Sequence, residues 1–197
     1  FTEDKPVTEL LDEVEKTVFE ISNTFLKDKF VHIKQILEER YERFAEMHES
    51  DDDQTKGVST GFTGLDGKLS GFQPSDLIIL AARPSMGKTA LALNIAQHAA
   101  IREGKSVGIF SLEMSKEQLV DRLFASMLGV DSWKLQKGKL EDTDFQNMGP
   151  IMDELNKANI FIDDSVASSI PELRAKARRL QMEHGLDMLV IDYLQLM

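Results

Sequence analysis

The sequence predicts an α/β fold, a parallel sheet covered by helices, preceded by an α-helical region. Three observations carry that reading. Short apolar segments at 77–82, 106–111, 159–163 and 187–192 alternate with helical patterns at 88–102, 115–128, 141–157 and 170–184, and strands spaced by helices pair in parallel through βαβ crossovers. The first of these segments is continuously apolar, as a strand buried on both faces is. The residues before position 57 carry apolar residues at helical spacing and no alternating pattern.

Size and composition fit one ordinary domain with some extra chain, since 197 residues with 42% hydrophobic and 29% charged side chains is globular composition. Cys is absent, which excludes disulfide scaffolds, Cys-ligated zinc and cysteine nucleophiles and fits a reducing compartment. No run of eighteen apolar residues occurs, so no membrane span and no membrane partner are expected. The first residue is Phe1, without an initiator Met or a secretory pattern, and the last, Met197, stands just past a strand; both features predict a piece of a longer chain. The net charge of −11 divides as −8 over 1–56 and −3 over 57–197. That balance argues against a pervasive basic surface for nucleic acid but leaves room for a local or oligomer-built channel.

Taken in order, Val7, Leu11, Val14, Val18, Ile21 and Phe25 step by four and three, the seam of an amphipathic helix. A second stripe follows at Phe30, Ile33, Leu37, Tyr41 and Phe44. Two such helices need a partner surface, either on this chain's own domain or on another one. Residues 49–56 hold Asp51, Asp52 and Asp53 and no apolar residue, an exposed linker. Three adjacent carboxylates without a fixed turn do not converge on an ion, and no Gly follows at EF-hand spacing. Gly61, Gly64, Gly67 and Gly71 then punctuate a turn-rich stretch before the first strand.

The decisive segment runs from Ala82 through Arg83, Pro84, Ser85, Met86, Gly87, Lys88 and Thr89 to Ala90. It leaves a predicted strand and enters a predicted helix, the setting of a phosphate-binding loop. Amides of the loop and first helical turn converge on an anion there, and the helix dipole favours negative charge. Arg83 to Ala90 are therefore the candidate nucleotide-binding residues. Gly87 allows close backbone approach, Lys88 brings a mobile ammonium to the β and γ phosphates, and Thr89 offers a hydroxyl to Mg²⁺. Ala82 stands where the general pattern has Gly; a positive φ there would cost an Ala about 1 kcal/mol or more.

Nucleotide hydrolysis also needs one carboxylate for the metal shell and another to act on water. Three predicted strands end in acid, giving Glu113, the pair Asp163 and Asp164, and Asp192. Spacing does not rank Asp163 against Asp192, although the four apolar residues before Asp192 favour it. Glu113, two residues past its strand, could orient a water or simply stabilise the first turn of the next helix.

Several strings together resemble the DnaB family of bacterial replicative DNA helicases: ARPSMGKTALALNIA at 82–96, FSLEM at 110–114, LRAKARRL at 173–180 and IDYLQLM at 191–197. TGFTGLD at 60–66 and VEKTVFEIS at 14–22 are similar to the same family, and Ala at the first loop position matches it. The resemblance implies an α/β RecA-like P-loop NTPase core with a truncated parallel sheet. It implies ATP and Mg²⁺ as ligands, a homohexameric ring on single-stranded DNA, and 5′-to-3′ unwinding by an ATP-dependent DNA helicase of the cytoplasm. Primase and a helicase loader are the partners it implies. On this chain it makes Lys88 and Glu113 catalytic and Thr89 and Asp192 the metal residues, leaving Asp163 structural. Residues 1–50 become the end of an N-terminal domain and the linker helices, which dock on a neighbouring subunit. Residues 51–60 become the exposed linker, and 61–197 a partial ATPase domain. The family's sensor glutamine, DNA-binding loops and trans-acting arginine fall beyond Met197. Such an arginine contributes roughly 10³–10⁵ in turnover, so residues 1–197 alone are expected to hydrolyse nucleotide negligibly. A filament-forming recombinase-type ATPase and a non-catalytic nucleotide-switched replication factor are the alternatives.

Arg174, Lys176, Arg178 and Arg179 read as a solvated helix face. His32, His48, His98 and His184 have no ligand spacing. Trp133 and the nine Met read as packing residues.

Overall fold

The structure, a computed structural model, describes residues 32–34, 36, 37, 40, 41, 57–165 and 169–193. The chain divides into two compact units, Phe1–Asp53 and Gln54–Met197. In the first unit Ile33, Lys34, Ile36, Leu37, Arg40 and Tyr41 are helical, as the second apolar stripe predicts, and Ile33, Leu37 and Tyr41 are exposed. The stripe from Val7 to Phe25, together with Phe30, Phe44, His48 and the Asp run at 51–53, lies outside the described residues.

The second unit is built on three parallel strands, β1 (Val107–Ser111), β2 (Ile160–Asp163) and β3 (Met188–Asp192), in the order β2-β1-β3. Its helices are α1 (Thr63–Leu69), α2 (Lys88–Arg102), α3 (Lys116–Leu128), α4 (Ser132–Gln136), α5 (Asp142–Lys157) and α6 (Ile170–His184). β1 is the centre of the sheet and is buried along its whole length, which is why it is apolar on both faces. Val107 and Ile109 join Leu93, Ala96, Ala99 and Ala100 of α2 and Leu119 and Leu123 of α3 in one core. On the other face a Cβ at Gly108 would lie 3.0 Å from Leu180 of α6 and 3.1 Å from Leu189, so the small residue lets α6 approach. Ser106 and Asp187 fix the start of the sheet. The Ser106 amide donates to the Asp187 carboxylate at 2.7 Å, and the Asp187 amide donates back to the Ser106 carbonyl at 2.9 Å.

Helix ends follow the sequence closely. Ser115 caps α3, accepting from the Gln118 amide while its own amide donates to the Gln118 side chain. Gly129 closes α3 in left-handed geometry (φ 68), and Gly185 ends α6 with a positive φ of 76 that favours glycine.

Four expectations are corrected. The segment 77–82 forms no strand, and Leu77 and Ile79 are 87% and 77% exposed. An apolar run becomes a buried strand only where neighbours take up its amides and carbonyls, and among the described residues β3 pairs with β1 alone. The turn-rich stretch contains helix α1, with Gly64 and Gly67 inside it. Val58, Ser59 and Thr60, placed in the exposed linker at 51–60, are buried, because Val58 forms an antiparallel bridge to Phe72. Trp133 is not a core residue: it is 56% exposed on α4, with Lys139 over its ring at 5.1 Å. Met86 and Met182 are likewise exposed, whereas Met114 packs on the core.

Candidate functional site

The loop before α2 turns through Ser85 and Gly87, with φ of 65° and 86°. Ala82 is not among the residues with positive φ, so a methyl group in place of the pattern's glycine hydrogen carries no backbone strain. At Gly87 an added Cβ would meet nothing within 4 Å; glycine is needed there for the backbone angle that opens α2, not for space. Arg83, Pro84, Ser85, Met86 and Ala90 are exposed, and Lys88 and Thr89 are half-buried.

Parallel pairing brings the strand-end carboxylates to this same edge of the sheet. β1 pairs Phe110 with Asp163 on one side and Ser111 with Asp192 on the other. The two aspartates then do different things. The Asp192 carboxylate accepts from the Thr89 hydroxyl at 2.6 Å and pairs with the Lys88 ammonium at 2.8 Å. It is a buried charge held by a cation and a hydroxyl across 103 positions of sequence, the arrangement under which a buried carboxylate is tolerated. The Lys88 ammonium also stands 4.4 Å from the centroid of Tyr193, a cation–π distance. Tyr193 was visible in the IDYLQLM string but had no role there, since nothing in the sequence shows which cation an aromatic ring faces.

Asp163 points its chemistry elsewhere. It pairs with Lys176 of α6 at 3.0 Å and accepts from the amide and hydroxyl of Ser165. Burial pushes its carboxyl up, but the Ser165 bonds and the Lys176 ammonium outweigh that and hold it below the usual aspartate value. The basic face of α6 is thus partly committed to local pairs, Lys176 with Asp163 and Glu172, and Arg179 with Glu183.

Glu113 is exposed on the turn between β1 and α3. The preceding residue, Leu112, donates its amide to the Asp192 carbonyl at 2.7 Å, which places the turn beside the carboxylate that Lys88 and Thr89 contact. No group of three His, Cys, Asp or Glu residues able to hold a metal occurs among the described residues. The donors that fit a nucleotide-bound Mg²⁺ are the Thr89 hydroxyl and the Asp192 carboxylate, hard oxygens that suit an ion keeping phosphate and water as its other ligands. Of the described histidines, His98 contacts Ser59, His184 stacks on Phe161, and His32 accepts from the Lys34 amide. A cavity of 330 Å³ lies on the far half of α2, lined by Thr60, Gln97, His98 and Met127 among others; none of Arg83 to Gly87 borders it.

A glycine-opened loop ending in Lys and Thr, both on a strand-end Asp, is the pattern to set against known families. The profile of the DnaB-like helicase C-terminal domain matches residues 57–197. The chain belongs to the DnaB-like helicase family. The match begins at Gly57, before the expected boundary at 61, in keeping with the burial of Val58 to Thr60. This DnaB-like chain is 45% identical over 196 residues to the replicative DNA helicase DnaB of Geobacillus stearothermophilus. It is 44% identical over 196 residues to the replicative DNA helicase DnaC of Bacillus subtilis. Each alignment covers the whole of this chain and 43% of the relative. The chain therefore spans less than half the length of these curated relatives. Among solved structures it resembles an ATPase domain, with a TM-score of 0.76 and 31% identity over 85% of this chain and 59% of that one. It also resembles a DnaB-like replicative helicase described with its interactions with primase, with a TM-score of 0.72 and 27% identity over 96% of this chain and 47% of that one. The α/β unit is accordingly a RecA-like ATPase fold.

Proposed function

We propose that this DnaB-like chain is the linker region and part of the ATPase domain of a replicative DNA helicase. In this reading the whole protein is a cytoplasmic homohexameric ring that unwinds duplex DNA 5′ to 3′ around a single strand, driven by ATP hydrolysis. The observation that carries the reading is the convergence of Lys88 and Thr89 on Asp192. Primase and a helicase loader are its proposed partners, the first supported by the likeness to a DnaB-like helicase described with primase. Residues 1–50 are then the end of the N-terminal domain and the linker helices, and the linker helix docks on a neighbouring subunit, a use consistent with the exposure of Ile33, Leu37 and Tyr41. No helix among the described residues is long and apolar enough to cross a membrane.

The residues divide the work as follows. Amides from Ser85 to Lys88 face the phosphates at the helix N-terminus, and the Lys88 ammonium, held in place by Asp192 and the Tyr193 ring, neutralises charge on them. The Thr89 hydroxyl and Asp192 carboxylate hold Mg²⁺, which when bound supplies electrostatic stabilisation of the transferring phosphoryl group. Glu113 orients the attacking water and accepts its proton.

The test compares two aspartates in the full-length protein. Asp192→Asn should abolish Mg²⁺-dependent binding of a fluorescent nucleotide, and Asp163→Asn should leave it within about threefold of wild type, a change of under about 1 kcal/mol. The reverse ranking would assign the metal shell to β2 and overturn the site.

A further inference from the structure

Glu113 is useful only if its carboxylate is held at a fixed place relative to the phosphate loop, because a displacement of about 1 Å at a reacting centre can cost about 10²-fold. Its side chain is on a turn, and the turn is fastened at three points. The Ser111 hydroxyl closes it, donating to the Met114 carbonyl at 2.6 Å and accepting from the Met114 amide at 3.2 Å. The Leu112 amide fastens it to β3 through the Asp192 carbonyl. On the far side the Lys116 amide, the first of α3, donates to the Asp164 carboxylate at 3.0 Å across 48 positions of sequence.

That last bond comes from a residue with no role so far. Asp164 is the first residue past β2, and its neighbour Asp163 is already engaged by Lys176 and Ser165. The paired acids therefore serve two separate helices, Asp163 holding α6 and Asp164 holding the start of α3. The Asp164 bond takes up one of the amides that every helix leaves unsatisfied at its N-terminus, and its charge suits the dipole there. The Lys116 ammonium adds little, since it stands 4.0 Å from Asp164 and is 60% exposed. The amide bond is the one that counts.

We propose that Asp164 is a positioning residue for Glu113: its carboxylate pins the first amide of α3, so that the turn carrying Glu113 is clamped between β2 and β3. The proposal rests on the reading of Glu113 as the residue that acts on water. It predicts that loss of Asp164 slows turnover without weakening nucleotide binding, because the phosphate loop and Asp192 are untouched.

The experiment is DNA-stimulated ATP turnover by the full-length protein, with nucleotide affinity measured separately. Asp164→Ala should lower kcat about 10- to 100-fold while KM and nucleotide affinity stay within about twofold. Asp164→Asn keeps an oxygen for the Lys116 amide and should regain most of the rate, and Lys116→Ala, which keeps the amide, should behave as wild type. The double variant Glu113→Gln with Asp164→Ala should be no slower than Glu113→Gln alone, since Asp164 acts through Glu113. Losses that multiply in the double variant, a parallel fall in nucleotide affinity, or wild-type turnover in Asp164→Ala would each overturn the proposal. If Asp164→Ala does not assemble, Asp164→Glu, which moves the carboxylate by one methylene, is read against the same outcomes. Wild-type turnover in Asp164→Ala with an inactive Glu113→Gln sinks the positioning role alone. An active Glu113→Gln sinks the reading of Glu113, and the proposal with it.

Discussion

Asp66 shows what a single buried carboxylate contributes away from the chemistry. It accepts from the Thr60 amide at 2.9 Å, the Thr60 hydroxyl at 2.8 Å and the Ser59 hydroxyl at 2.7 Å, binding the entry segment of the domain to α1. Burial raises its carboxyl, but the Thr60, Ser59 and Gly61 bonds more than reverse this and hold it below the ordinary aspartate value. A carboxyl depressed in the folded state stabilises it above the unfolded pKa, and that contribution fades as pH falls through the folded value. Asp66→Asn should therefore cost about 1–3 kcal/mol at neutral pH, and the gap to wild type should narrow below about pH 4. Urea unfolding at neutral pH and well below the aspartate range checks both; an equal gap under the two conditions refutes the assignment. The TGFTGLD string marked this segment as part of the resemblance, but the partners of Asp66 were not readable. Hydrogen bonds between near neighbours depend on how the turn folds, and the glycines hid the short helix that makes it.

Among the elements, α3 joins stability to the site. Its cap at Ser115 and Gln118 and its left-handed end at Gly129 are both written locally, and a 13-residue helix with matched ends keeps its register. Ser115→Ala should cost about 1 kcal/mol, read as a lower denaturant midpoint at unchanged slope. No shift in midpoint would mean that the Asp164 bond already supplies the cap. Local signals of this kind explain why the bounds of α2, α3, α5 and α6 were legible in the sequence almost to the residue. The segment at 77–82 failed for the opposite reason. Its apolar run is a local fact, but a strand exists only in its ladder, and Leu77 and Ile79 are exposed without one. α4 was missed because its 5 residues are too few to show a period.

At the scale of the whole molecule, the proposed motor depends on copies meeting in a closed ring. Electron microscopy of the full-length protein with nucleotide should show six-fold rings; open helical filaments on DNA would instead support the recombinase-type alternative. Sequence by itself determined the parallel α/β class, the loop from Arg83 to Gly87 that leads into α2 and the set of strand-end acids, because each is a matter of spacing along the chain. It favoured Asp192 over Asp163 only slightly, by the four apolar residues before it, until a resemblance separated them. The tertiary structure decided which of those acids meets the loop, what Tyr193 and Asp164 touch, and which apolar residues lie bare. Those outcomes depend on strand order: β1 carries Asp163 on its β2 side and Asp192 on its β3 side, and it is the carboxylate at the end of β3 that meets Lys88 and Thr89.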